Sequence, residues 1–147
     1  MYAYSKRLSD LIARKYQAFI HEQRCYDNVF HLLTERIPEL YPLSKVSVLF
    51  CYYKGADSRY YRHVFILYDN ELVEPLPYVN MNEENRSSLV PIRLIPSIED
   101  YFQMVRKDGN SSLANVLYED EIKAVNQAKI WQKLWIRDLS NLYRDFE

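Results

Sequence analysis

The stretch Y-Y-R-H-V-F-I-L-Y-D-N-E-L-V-E (60–74) decides how this chain folds. Tyr60 to Tyr68 is β-branched and aromatic, Asp69-Asn70 tolerates the left-handed backbone of a tight turn, and a short apolar run from Glu71 to Leu76 comes back. With a two-residue turn at Asp69 and Asn70, Leu67 faces Leu72, Phe65 faces Glu74, and His63 faces Leu76. Directly paired residues share a face of a sheet, so His63, Phe65, Leu67, Leu72, Glu74 and Leu76 lie on one side. Glu74 is then the diagonal neighbour of His63, roughly 5 to 7 Å away between Cβ atoms. A turn one residue longer would send Glu74 to the opposite face, which makes the register testable.

Upstream of the hairpin, Lys45 to Tyr53 reads as another strand, joined to it through a Lys54–Arg59 loop that holds Gly55, Asp57 and Ser58. Apolar residues Leu8, Leu11, Ile12, Tyr16, Phe19 and Ile20 recur at helical spacing and predict a helix over 4–22. A second helix runs from about Cys25 to Glu35, on the stripe Cys25, Val29, Leu32 and Leu33, and is closed off by Pro38 and Pro42. Downstream, 77–88 is polar and Asn-rich and reads as a mobile loop. Leu89 to Ile95 reads as an edge strand that tolerates Pro91. Ser97 and Asp100 form an S-x-x-D helix start running to about Arg106. Ser112 to Arg144 reads as one long helical region carrying Leu117, Ile122, Val125, Ile130, Leu134, Leu139 and Leu142. The expectation is one α+β domain over 1–147: a small antiparallel sheet of three or four strands packed against N-terminal and C-terminal helices.

Composition narrows the function classes. Hydrophobic residues make up 48% and charged residues 27%, a globular rather than disordered balance. A net charge of -1 argues against a chain held to nucleic acid by bulk electrostatics. Only two glycines occur, Gly55 and Gly109, and neither a G-x-G-x-x-G nor a P-loop pattern is present, so no nucleotide cofactor is expected. Cys25 and Cys51 cannot build a disulfide framework and read as reduced thiols of a cytoplasmic protein. Met1 to Asp10 lacks an apolar core for a signal peptide, and Val46 to Tyr53 is too short to span a bilayer.

The chemistry is concentrated on one hairpin face. A histidine and a glutamate among Phe and Leu are costly to bury unless they satisfy each other. The carboxylate would fix the tautomer of the imidazole and raise its basicity. Cys25 begins the second helix on its apolar stripe, where peptide dipoles and a neighbouring imidazole both favour thiolate. Packing that helix on the hairpin supplies nucleophile, base and orienting acid in the order Cys25, His63, Glu74. Gln23, or the backbone N–H of Cys25, is a candidate oxyanion donor, and Asn28 a candidate supporting residue.

The segments R-C-Y-D-N-V-F (24–30) and R-H-V-F-I-L-Y-D-N-E-L-V-E-P-L (62–76) resemble the papain-like superfamily in its transglutaminase-core order. Small bacterial members show a C-x-x-N near a helix start, then H-[AV]-[WF] running through a turn to an acid followed by Pro. Cys25 and Asn28 match the first element; His63, Phe65, Glu74 and Pro75 match the second. The resemblance implies acyl transfer at an amide or peptide bond through Cys25, His63 and Glu74, without metal or cofactor. The acid here is Glu where such motifs more often carry Asp, and no glycine-rich approach precedes Cys25. A first helix running on through Arg24 would place Cys25 mid-helix and remove its dipole activation.

Plainer readings stand beside these. Cys25 can be a small core residue, Asn28 a satisfied helix polar residue, and Asp69 a turn former as well as a fallback acid. His21 and Cys25 share a helix face, but no second Cys or His pair completes a zinc set. Arg59, Tyr60, Tyr61, Arg62 and His63 interleave base and aromatic; a strand with solvated ends accounts for them better than a nucleic-acid stack. Trp131 and Trp135 read as an i, i+4 pair on the last helix, in the core or at a dimer surface. Glu119, Asp120 and Glu121 read as the N-terminal turn of a helix. The rival to the enzyme is a non-catalytic protein-binding module that keeps a papain-like fold and uses its 14 tyrosines as a contact surface.

Overall fold

Along the chain, the computed structural model describes residues 2–18, 20–21, 25–74, 82–109 and 113–143. The order is β1 (Ala3–Tyr4), α1 (Lys6–Lys15), α2 (Cys25–Thr34), β2 (Val46–Lys54), β3 (Tyr60–Tyr68) and β4 (Glu71–Val73). There follow α3 (Glu83–Ser87), β5 (Val90–Ile95), α4 (Ile98–Asp108), α5 (Ala114–Ala128) and α6 (Ile136–Tyr143). The strands form one five-stranded sheet in the order β1-β4-β3-β2-β5. The α+β architecture with helices against a small sheet is as expected. The sheet is mixed rather than purely antiparallel, because β1 pairs parallel with β4 at Ala3↔Glu71 and Tyr4↔Leu72.

The hairpin carries the expected register. Asp69 and Asn70 both take positive φ, 51° and 67°, as a type I′ turn demands. Leu67 pairs with Leu72 and Ile66 with Val73. On the other side β3 pairs with β2 along its whole length, which places Cys51 opposite His63 and Tyr53 opposite Tyr61. Pro91 has no N–H for a ladder, and it sits on the edge strand β5 where the register slips between Phe50 and Cys51.

The two faces of the sheet are filled differently. Val48, Phe50, Val64 and Ile66 meet Val29, Leu32 and Leu33 of α2 and Tyr101 and Val105 of α4 in the main core. Each such side chain contributes roughly 1.5–3 kcal/mol through burial. Toward one end, Tyr52 packs with Val125, Ile130, Leu134 and Leu142. The opposite face is smaller: Leu49, Cys51, Phe65, Leu67 and Leu72, with Tyr2, Tyr4 and Leu89 packed on them.

Several elements depart from expectation. The first helix covers only Lys6–Lys15, because Ser5 caps it by accepting from the Leu8 N–H and Tyr16 ends it. The first helix therefore does not run on through Arg24, and α2 is described from Cys25 onward. Within the loop expected over 77–88, Asn82 caps the short α3, while 77–81 lie outside the described residues. The long C-terminal helical region is broken after α5 by Lys129 in a left-handed conformation, followed by a 3-10 turn over Trp131–Lys133. Trp131 and Trp135 are thus not a pair on one helix. Glu119, Asp120 and Glu121 lie in the body of α5 rather than at its start. Ser97 does cap α4, accepting from the Asp100 N–H, and Gly109 ends it at φ 84°.

The edge of β3 beyond the end of β4 is taken by the C-terminal segment. Leu134 bridges to Tyr60 in parallel, the Trp135 N–H donates to the Tyr60 carbonyl at 2.9 Å, and the Arg62 N–H donates to Asp138 Oδ2 at 2.8 Å.

Candidate active site

The turn geometry carries straight into the site. Continuing the hairpin register brings Glu74 to the face and level at which its carboxylate meets His63. Nε2 of the ring lies 2.9 Å from Oε1 and 3.0 Å from Oε2. Both side chains are buried, 1% and 2% exposed. The Glu74 backbone N–H donates to the buried Ser9 Oγ at 2.9 Å, so α1 holds the carboxylate-bearing residue from the other side. Tyr53 and Phe65 flank the imidazole edge-to-face, with ring centroids 5.0 Å and 4.6 Å away. These contacts exclude water and fix the plane of the ring.

Cys25 completes the cluster from the first turn of α2, which packs against β3. It lies close enough to the His63 side chain to act on its ionisation and is half-buried, whereas Cys51, across the ladder from His63, is fully buried. Burial alone would lower the pKa of His63. The Glu74 carboxylate outweighs it, reinforced by the neighbouring Cys25, and pushes the imidazole up to about 10. Burial above all, with Glu74 nearby, pushes the Cys51 thiol well above its ordinary range. One thiol is thus half-buried and next to a cation; the other is walled off.

The other sequence candidates separate. Asn28 is buried and clamps the His21 backbone, accepting from its N–H at 3.0 Å and donating to its carbonyl at 2.8 Å. It thereby ties α2 to the chain just ahead of it, a supporting position. Gln23, Pro75 and Leu76 lie outside the described residues. Asp69 is exposed in the turn, away from His63. Among the described residues, no group of three or more His, Cys, Asp or Glu is placed to hold a metal ion. Among them, too, no helix is long and apolar enough to cross a membrane.

Sequence reasoning missed two features. Ser9 sits on a helix face among apolar residues, and a small polar residue in that position is the signal that could have marked it. The second is a buried ionic cluster on the reverse face: Arg62 Nη2 meets Glu121 Oε2 at 2.7 Å, with side chains 15% and 3% exposed. Arg62 is therefore not a solvated strand end. Burial pushes Glu121 up to about 7, aided by the nearby Asp138 and opposed by Arg62.

Compared with protein-family models, curated proteins and solved structures, the chain matches none.

Proposed function

We propose that this protein is a thiol-dependent acyl-transfer enzyme acting on an amide or peptide bond. The reading rests on one observation: a buried imidazole whose Nε2 is held by both oxygens of Glu74, with the half-exposed thiol of Cys25 close beside it at the head of α2. With Nε2 occupied, Nδ1 is the nitrogen left for sulfur. The Cys25 thiolate attacks the amide carbonyl carbon, and the carbonyl π-electrons move onto oxygen. The backbone N–H of Cys25, at the head of α2, suits the developing oxyanion. As the C–N bond breaks, His63 passes its proton to the departing amine and leaves a Cys25 thioester. The neutral imidazole then takes a proton from water, or from an acceptor amine, as that nucleophile displaces the thiolate. Glu74 keeps the ring in place throughout. A reactive free thiol suits a reducing compartment, in keeping with a cytoplasmic setting.

The test is alkylation by iodoacetamide at pH 7, followed by peptide mass spectrometry. Cys25 is expected to react at least tenfold faster than Cys51, and His63→Ala to slow Cys25 by at least tenfold. A Cys25 rate that His63→Ala leaves unchanged would discard the enzyme and favour a protein-binding module.

A further inference from the structure

A row of aromatic rings leads away from His63 on its own face of the sheet. Tyr53 touches the imidazole, Tyr61 lies beside Tyr53 at 5.8 Å and 32°, and Trp135 beside Tyr61 at 5.4 Å and 33°. All three rings are half-buried, so each keeps part of its surface in solvent. The row is also built stiffly. One of the chain's two glycines, Gly55, sits under Tyr61, where a Cβ would come within 2.8 Å of ring carbon Cε2. Tyr61 donates its hydroxyl to Asp57, and Trp135 is anchored by its backbone bond to Tyr60. The Arg137 guanidinium lies 5.7 Å from the Trp135 ring centroid. Core packing alone does not call for three rings arranged in sequence on a partly exposed surface that ends at a candidate general base.

We propose that Tyr53, Tyr61 and Trp135 form the specificity surface of the enzyme and take an aromatic side chain of the amide substrate next to the bond that Cys25 attacks. This rests on the reading of Cys25 as nucleophile. Neighbouring rings inclined by about 30° leave partial faces and edges on which a further ring stacks offset or edge-on, a geometry that an aliphatic chain does not exploit. The row reaches the base directly, since Tyr53 packs edge-to-face on the imidazole that Glu74 holds. The carboxylate of Asp57 on Tyr61 disfavours a phosphate backbone and so a nucleic-acid strand.

The experiment compares iodoacetamide with N-benzyl- and N-(cyclohexylmethyl)iodoacetamide at Cys25, each normalised to its rate with glutathione. The benzyl reagent should show saturable labelling at least tenfold faster than iodoacetamide, and at least threefold faster than the cyclohexyl reagent. Trp135→Ala and Tyr61→Leu should each cut the benzyl preference at least threefold, and Trp135→Phe should keep most of it. Equal benzyl and iodoacetamide rates, with iodoacetamide still selecting Cys25 in a His63-dependent way, would overturn the aromatic surface and leave the acyl-transfer reading intact. Equal benzyl and cyclohexyl rates would overturn it as well, in favour of a merely apolar surface. Loss of His63 dependence for iodoacetamide would remove the nucleophile, and this proposal with it.

Discussion

Arg62 and His63 are neighbours on β3, their side chains leave the sheet on opposite faces, and each ends against a buried carboxylate. Each pair also has a backbone N–H bound by a remote side chain: Arg62 N–H to Asp138 at 2.8 Å, Glu74 N–H to Ser9 at 2.9 Å. The resemblance stops at what else each pair touches. Arg62 and Glu121 close on each other, stitching β3 to α5 and, through Asp138, to α6. His63 and Glu74 open onto a third group, the half-exposed thiol of Cys25. The same device, a desolvated ion pair, thus serves assembly on one face and, in the reading proposed above, chemistry on the other. The difference lies in whether the cation is a permanent one or one that can give up its proton. Arginine never does so in proteins; histidine does.

Breaking the pairs separates the two roles most sharply. Glu121→Leu leaves Arg62 buried and permanently charged, and should cost about 3–5 kcal/mol in urea unfolding. Arg62→Met should cost less near neutral pH, because a carboxyl already pushed up to about 7 can take a proton and go neutral. The double variant Arg62→Met/Glu121→Leu should recover most of the loss and still alkylate at Cys25 in a His63-dependent way. His63→Leu/Glu74→Leu should also recover stability relative to either single change, but with Cys25 no longer fast. Loss of Cys25 reactivity in the Arg62/Glu121 double variant would erase the distinction between the faces.

Titration sharpens the comparison further. Glu121 holds its proton more tightly folded, at about 7, than unfolded, at 4.5, so raising the pH through that window costs stability. His63 also holds its proton more tightly folded, at about 10 against 6.5. Its contribution is complete below 6.5 and is lost as pH climbs toward 10. Both effects run the same way in adjoining windows, so stability should decline from about pH 5 to pH 9, by roughly 3 kcal/mol per group. Urea midpoints should show Glu121→Gln flattening the lower half of that decline and His63→Gln the upper half. A stability maximum at pH 8 or above would contradict both assignments.

The His63 side of this comparison was legible in the sequence and the Arg62 side was not, for a reason of chain distance. His63 and Glu74 are 11 residues apart, and a two-residue turn between them fixes their relation through period-2 alternation alone. Arg62 is 59 residues from Glu121 and 76 from Asp138, and no local rule joins them; only the docking of α5 and α6 does. The same holds elsewhere. Ser97 announced its helix because a cap is local chemistry. The break after α5 falls on Lys129, a left-handed residue with neither Gly nor Pro to mark it. β1 is two residues long, too short to show any period. Cys25 lies between: its helix stripe was readable, but its place at the helix start depended on where α1 ended.

The smallest expected effect concerns the two remote anchors. Asp138 offers a buried carboxylate to the Arg62 N–H, and Ser9 offers the Glu74 N–H only a hydroxyl. Hydrogen bonds to a charged acceptor contribute more, so Asp138→Ala should cost about 1.5–3 kcal/mol and Ser9→Ala about 1 kcal/mol. The functional consequences should run in the opposite order. Removing the Ser9 hydroxyl leaves the Glu74 N–H without its acceptor, which loosens the carboxylate that holds Nε2 of His63. Alkylation of Cys25 should therefore slow about two- to fivefold in Ser9→Ala. In Asp138→Ala the rate should track stability alone and return to that of the parent protein under conditions where the variant is fully folded. Equal slowing in the two folded variants would mean that β3 transmits strain between its faces, and that the two ion pairs are one device rather than two.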